Sequence, residues 1–181
     1  MKRLGMPNAR RNSMAEIMTV LVTVAMWIVG AMGVIGIPLF SVGLSASLSG
    51  GDSKFPLVRA LVDGVLPGEF VLVIVGLAVI VPGVIYICFQ LRHILLTLAE
   101  GDPFVPENAR RLTRIGTAIA AMELIRIATV MVVRAVPSFV GDKLPPISTQ
   151  FILWISVAAL FVLSQVFREG TRLRDEEKMT I

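Results

Sequence analysis

Four apolar blocks, each long enough to cross a lipid bilayer, constrain this chain more than any other feature. They are Ile17–Phe40, Phe70–Leu91, Ile115–Val136 and about Ile147–Phe167, against a need of about 20 residues per helical crossing. Lipid offers no partner to a bare N–H or C=O, so each block must be a helix whose hydrogen bonds close internally. The chain has 181 residues, 55% hydrophobic and 17% charged, and a soluble domain of that size cannot bury so much apolar surface. The expected fold is an all-α membrane protein, a four-transmembrane-helix bundle forming a single transmembrane domain over residues 1–181.

The first block needs one distinction. Lys2, Arg3, Arg10 and Arg11 precede it, as in a signal peptide, and Ser45-Ala46-Ser47 is a small-residue site. But the block has 24 residues, and a signal core has about 7–15. It reads as a retained helix.

Orientation follows from the basic residues. Twelve of them (Lys2, Arg3, Arg10, Arg11, Arg92, Arg110, Arg111, Arg114, Arg168, Arg172, Arg174 and Lys178) fall on one side of the blocks; Lys54, Arg59 and Lys143 fall on the other. Short loops rich in Lys and Arg stay in the cytoplasm. Both ends are therefore expected inside, with a cytoplasmic connection at 92–114 and a cytoplasmic tail at 168–181. The same placement accounts for the net charge of +4 without nucleic acid as a direct partner; membrane lipid is the expected one. Association of copies into a homo-oligomer is left open.

The loops carry their own signals. Ser41 to Gly51 is rich in Ser and Gly, and Phe55, Leu57, Val58, Leu61, Val62 and Val65 follow at helical spacing. A short amphipathic helix is expected there, in the first outer loop, either capping the bundle or acting as a lid. The second helix is expected to outlast the membrane, because Ile94, Leu95 and Leu98 continue its period until Gly101 and Pro103 end it. Pro82-Gly83 marks a point where it can kink. Pro106-Glu107 opens the next helix, where a proline and an acid suit the first turn. Gly170 is expected to interrupt the end of the fourth, and Met179, Thr180 and Ile181 are apolar enough to dock. Gly30, Gly33 and Gly36, and Gly116, Ala120 and Ala121, form smooth strips for close helix packing.

One anomaly is chemical. Glu123 and Arg126 lie at the centre of the third block, where each costs about 2.5–3.5 kcal/mol on the insertion scale. The block's nine Leu, Ile and Val residues return only about 0.3–0.6 kcal/mol each. This helix is not expected to be stable alone in lipid. A spacing of three lets the two charges meet, and Arg134 falls on the same stripe. Gln150 and Gln165 are candidate neighbours. A satisfied structural pair and a proton or substrate path both remain open.

Catalysis is not expected. The chain has no phosphate-binding loop, dinucleotide glycine pattern, HExxH or GxSxG. His93 has no partner at metal-ligand spacing, and the lone Cys88 cannot form an intramolecular disulfide. No cofactor is implied.

The connection reads Leu91-Arg92-His93-Ile94-Leu95, then Gly101-Asp102-Pro103-Phe104, Asn108, and Leu112-Thr113-Arg114-Ile115-Gly116. The end reads Val166-Phe167-Arg168-Glu169-Gly170, then Leu173, Glu177, Thr180 and Ile181. These segments resemble the bacterial membrane family called domain of unknown function 2975. The most specific parts are Gly-x-Pro-Phe…Asn…Leu-x-x-Ile-Gly and Phe-x-x-Gly-x-x-Leu, so Gly101, Pro103, Phe104, Asn108, Phe167 and Gly170 form a candidate cytoplasmic motif. The resemblance implies a multi-pass protein of the bacterial cytoplasmic (inner) membrane. It also implies a regulatory role beside a small cytoplasmic helix-turn-helix regulator, and it implies no activity. Glu123 and Arg126 stand outside it. Phe104 is read as a plug among helix ends or as a partner contact. The leading expectation is a regulatory or sensing membrane protein with a cytoplasmic protein partner. The alternative is a small transporter or ion-coupled carrier using Glu123 and Arg126.

Overall fold

The computed structural model describes residues 12–49, 65–99, 104–136 and 150–179. Four helices account for nearly all of them: α1 (Asn12–Leu48), α2 (Pro67–Ala99), α3 (Pro106–Arg134) and α4 (Phe151–Met179). All four are long and apolar enough to span a membrane. Trp27, Val34, Ile35, Val132, Ile152 and Ile155 point outward, each more than 60% exposed. Water would not tolerate such surfaces, and lipid is their natural solvent.

The helices pack in chain order. α1 lies on α2, α2 on α3, and α3 on α4; among the described residues no other pair of backbones comes close. The arrangement is an open bundle, with α1 and α4 at its flanks.

Glycine sets the closest approaches, because lipid gives helices no hydrophobic reason to associate and close packing must supply the attraction. A Cβ on Gly33 would lie 2.8 Å from Val81 Cγ1, and one on Gly36 would lie 2.9 Å from Leu77 Cδ1. The strip expected on the first helix therefore faces α2. Gly43 extends it against the ring of buried Phe70. On α3, Gly116 packs on Leu160 and Phe161 of α4.

Several boundaries differ from expectation. α1 continues through the Ser-rich stretch to Leu48 rather than ending at Phe40. Ser41 and Ser45 within the helix, and Ser49 just after it, return their hydroxyls to the carbonyls of Ile37, Val42 and Ser45, which leaves no stray donors among them. Pro82 and Gly83 lie inside a continuous α2, and Gly83 lets Met122 of α3 approach. α3 ends at Arg134, two residues short of Val136. Gly170 does not interrupt α4. Met179 does not dock; it is 84% exposed. The amphipathic stretch 55–65 lies outside the described residues apart from Val65. Gly101, Pro103, Thr180 and Ile181 also lie outside them.

Candidate functional site

Two places concentrate polar chemistry, one within the apolar length of the helices and one at the basic end.

At the first, Arg126 grips Glu123 with a two-pronged bond. Nε donates to Oε2 at 2.8 Å and Nη2 donates to Oε1 at 2.7 Å. This geometry is the strongest a carboxylate and guanidinium can form. The spacing of three on one helix produces it, as expected from sequence. Glu123 is 3% exposed, whereas the Arg126 side chain is 36% exposed. The pair forms part of the wall of a cavity of about 270 Å³ between α2, α3 and α4. Gln150 lines the same cavity, as expected, but Gln165 faces outward. The buried polar residue on that part of α4 is Ser164, whose Oγ accepts a hydrogen bond from Thr113 Oγ1 at 3.0 Å. Arg134 is half-buried at the far end of α3, about 12 Å along the axis from Arg126 at about 1.5 Å per residue.

At the basic end, side chains from the connection and from α4 interlock. Asn108 in the first turn of α3 is wholly buried. Its Nδ2 donates to Thr97 Oγ1 of α2 at 2.7 Å, and its Oδ1 accepts from Arg111 Nη1 at 2.9 Å. Thr97 Oγ1 in turn donates a hydrogen bond to the carbonyl of Ile94. A buried amide is costly unless both ends are met, and this chain of bonds meets them. Beneath it, Ile94, Leu112 and Ile115 form an apolar core, with Leu160 and Phe167 packed against it.

Phe104 packs against Phe167, with ring centroids 5.7 Å apart and the planes tilted by 42°, and covers Gly170. Thr171 Oγ1 donates to the carbonyls of Phe104 and Phe167 at 3.2 and 2.9 Å. Phe104 is still 41% exposed, so it plugs helix ends with one face and shows the other. Beside it, Pro106, Arg110, Arg168, Thr171, Arg172 and Asp175 line an open cleft. Arg172 is braced by Glu169 at 2.7 Å and Glu176 at 3.4 Å.

The structure thus brings Phe104, Asn108, Phe167 and Gly170 to one end of the bundle; along α3, Asn108 stands about 22 Å from Glu123 and about 39 Å from Arg134 at about 1.5 Å per residue. Sequence reasoning missed Thr97, Arg111, Ser164 and Thr171. Each sits where hydroxyl and basic residues are ordinary, so no local signal separates it from its neighbours.

These features define a multi-pass α-helical membrane protein whose most distinctive residues meet at its basic end. The chain belongs to the family described as Protein of unknown function (DUF2975), whose model matches residues 20–181. No curated protein and no solved structure matches it.

Proposed function

We propose that this is a non-enzymatic regulatory protein of the bacterial cytoplasmic membrane, with both ends in the cytoplasm, acting through a cytoplasmic protein partner. One observation carries the reading. Residues some 60 positions apart in the chain, Phe104 and the group Phe167, Gly170 and Thr171, form a single surface at the basic end. The half-exposed Phe104 ring and the flanking Arg110, Arg168 and Arg172 suit a partner with an acidic rim and an apolar centre. Aromatic and arginine side chains dominate binding energy at protein interfaces. The excess of basic residues on this side supports its placement in the cytoplasm. A small helix-turn-helix regulator, the neighbour implied by the family resemblance, is the partner to test first.

The test uses the full chain in nanodiscs and the regulator encoded beside its gene. Binding should fall at least about tenfold, or about 1.4 kcal/mol, when Arg110 and Arg168 are both changed to Glu. If the unaltered chain binds no such protein, the partner reading fails.

A carrier acting through Glu123 and Arg126 is the second reading, supported by the cavity that reaches them. It requires a solute flux in reconstituted vesicles that Glu123→Gln abolishes while the helices stay folded.

A further inference from the structure

The cavity beside the charged pair is a slot. Its lining runs from Leu72 and Gln150, at the end of the helices away from the basic connection, to Val84 and Ile119 beyond Glu123. From Leu72 to Val84 is about 18 Å along α2 at about 1.5 Å per residue. Most of the wall is aliphatic; Glu123, Arg126, Thr129 and Gln150 make it polar along the side formed by α3 and the start of α4.

Gly76 shows that this space differs from ordinary imperfect packing. Gly33, Gly36, Gly43 and Gly83 each let a neighbouring side chain into the room left by a missing Cβ. Gly76 admits nothing: no atom stands within 4 Å of where its Cβ would be. It lines the slot, and its missing side chain widens the slot. Glycine in the middle of a helix is unfavourable relative to alanine, and here no helix contact compensates for it.

The wall also restricts the occupant. Glu123 and Arg126 neutralise each other, so a charged guest would bring an unbalanced charge to the middle of the span. A hydroxyl or carbonyl can hydrogen-bond to groups on the polar side without adding charge. A volume of about 270 Å³ holds roughly nine groups of water size at about 30 Å³ each. One narrow chain fits, and a two-chained phospholipid does not.

We propose that the slot binds an uncharged single-chain amphiphile, of the class of long-chain alcohols and ketones. Its oxygen lies beside Arg126 and Thr129, and its chain runs along Gly76, Val79 and Ile80. Binding here needs no cytoplasmic protein, so its test is separate from the partner test.

The test places the full chain in nanodiscs and labels it with three diazirine probes: an alkyl alcohol of roughly ten carbons, sized from about 30 Å³ per group, the matching alkyl sulfonate, and a diacyl phospholipid. Mass spectrometry maps the labelled residues. The alcohol should label the α2 and α3 walls and be displaced by unlabelled alcohol. The sulfonate should label them at least about tenfold less, a difference of about 1.4 kcal/mol. Gly76→Leu fills the slot from the α2 side and should lower alcohol labelling by a similar factor of about ten at an unchanged melting temperature. If that variant does not fold, displacement by unlabelled alcohol decides in the unaltered chain. Undiminished labelling of folded Gly76→Leu, failure of displacement, or equal labelling of the same residues by the phospholipid (ordinary surrounding lipid only) would each overturn the proposal.

Discussion

The ring of Phe104 occupies the place where a Cβ on Gly170 would stand, with Cδ1 2.7 Å from that point. Gly170 is helical, so alanine there would normally add about 1 kcal/mol of helix stability. Against Phe104 it forces the ring to move, at about 1–3 kcal/mol for overpacking. Gly170→Ala should therefore lower stability in detergent by about 1 kcal/mol, and the sign should reverse in a Phe104→Ala background. Thermal unfolding of the four-member cycle checks this. Equal effects in both backgrounds would mean the ring does not rest there.

Asn108 joins α2 to α3 through Thr97 and holds Arg111 from the other side. Asn108→Ala strips both partners at a fully buried site, with an expected cost of about 2–3 kcal/mol. Thr97→Val keeps the shape and should cost about 1 kcal/mol. The double variant should cost less than the sum. Strict additivity in unfolding measurements would count against the shared bond.

The two members of the Glu123–Arg126 pair differ in burial, so their removal should differ in cost. Arg126→Gln takes the two-pronged donor from a Glu123 carboxylate that is 3% exposed and should lose about 3–5 kcal/mol; Glu123→Gln leaves a guanidinium that is 36% exposed and should cost less. Replacing both by Leu should be close to neutral or stabilising, since apolar residues suit the span. If the double variant proves as unstable as the single ones, the pair supports packing beyond its own charges.

The glycines of α1 should differ in a graded way. A Cβ on Gly43 would meet the Phe70 ring at 2.5 Å, and Phe70 is 2% exposed with little room to yield. Gly43→Ala should cost about 1–3 kcal/mol. Gly30 has its nearest neighbour at 4.0 Å, so Gly30→Ala should be neutral or gain up to about 1 kcal/mol. Equal melting temperatures for the two variants would contradict the packing of α1 on α2.

Much of this was legible in the residues, for identifiable reasons. The four helices follow from apolar length, because bilayer thickness is a fixed ruler. The contact between Glu123 and Arg126 follows from a spacing of three on a helix. The faces marked by Gly33, Gly36 and Gly116 were legible as smooth strips, but a strip does not name its neighbour, so the chain-order packing was not. The end of α1 was not legible because Ser and Gly between 41 and 49 resemble a loop, yet the serine hydroxyls turn back to carbonyls of the preceding turn. Phe104, Asn108, Phe167 and Gly170 stood out through family resemblance alone. Thr97, Arg111 and Thr171 stayed hidden because their roles depend on partners 11 to 67 positions distant or on the fate of Asn108.

Packing in chain order bears on how the protein is made. Synthesis runs from the N-terminus, so α2 is already available when α3, the span carrying Glu123 and Arg126, leaves the ribosome. Gly83 on α2 then offers Met122 a close seat, and α3 need not await a segment made much later. Chains cut after Ala99 should integrate stably as a two-helix hairpin, whereas α3 expressed alone should slip out of the membrane; glycosylation-site mapping of both in microsomes reads the difference. The order of translation and the order of assembly would then be the same.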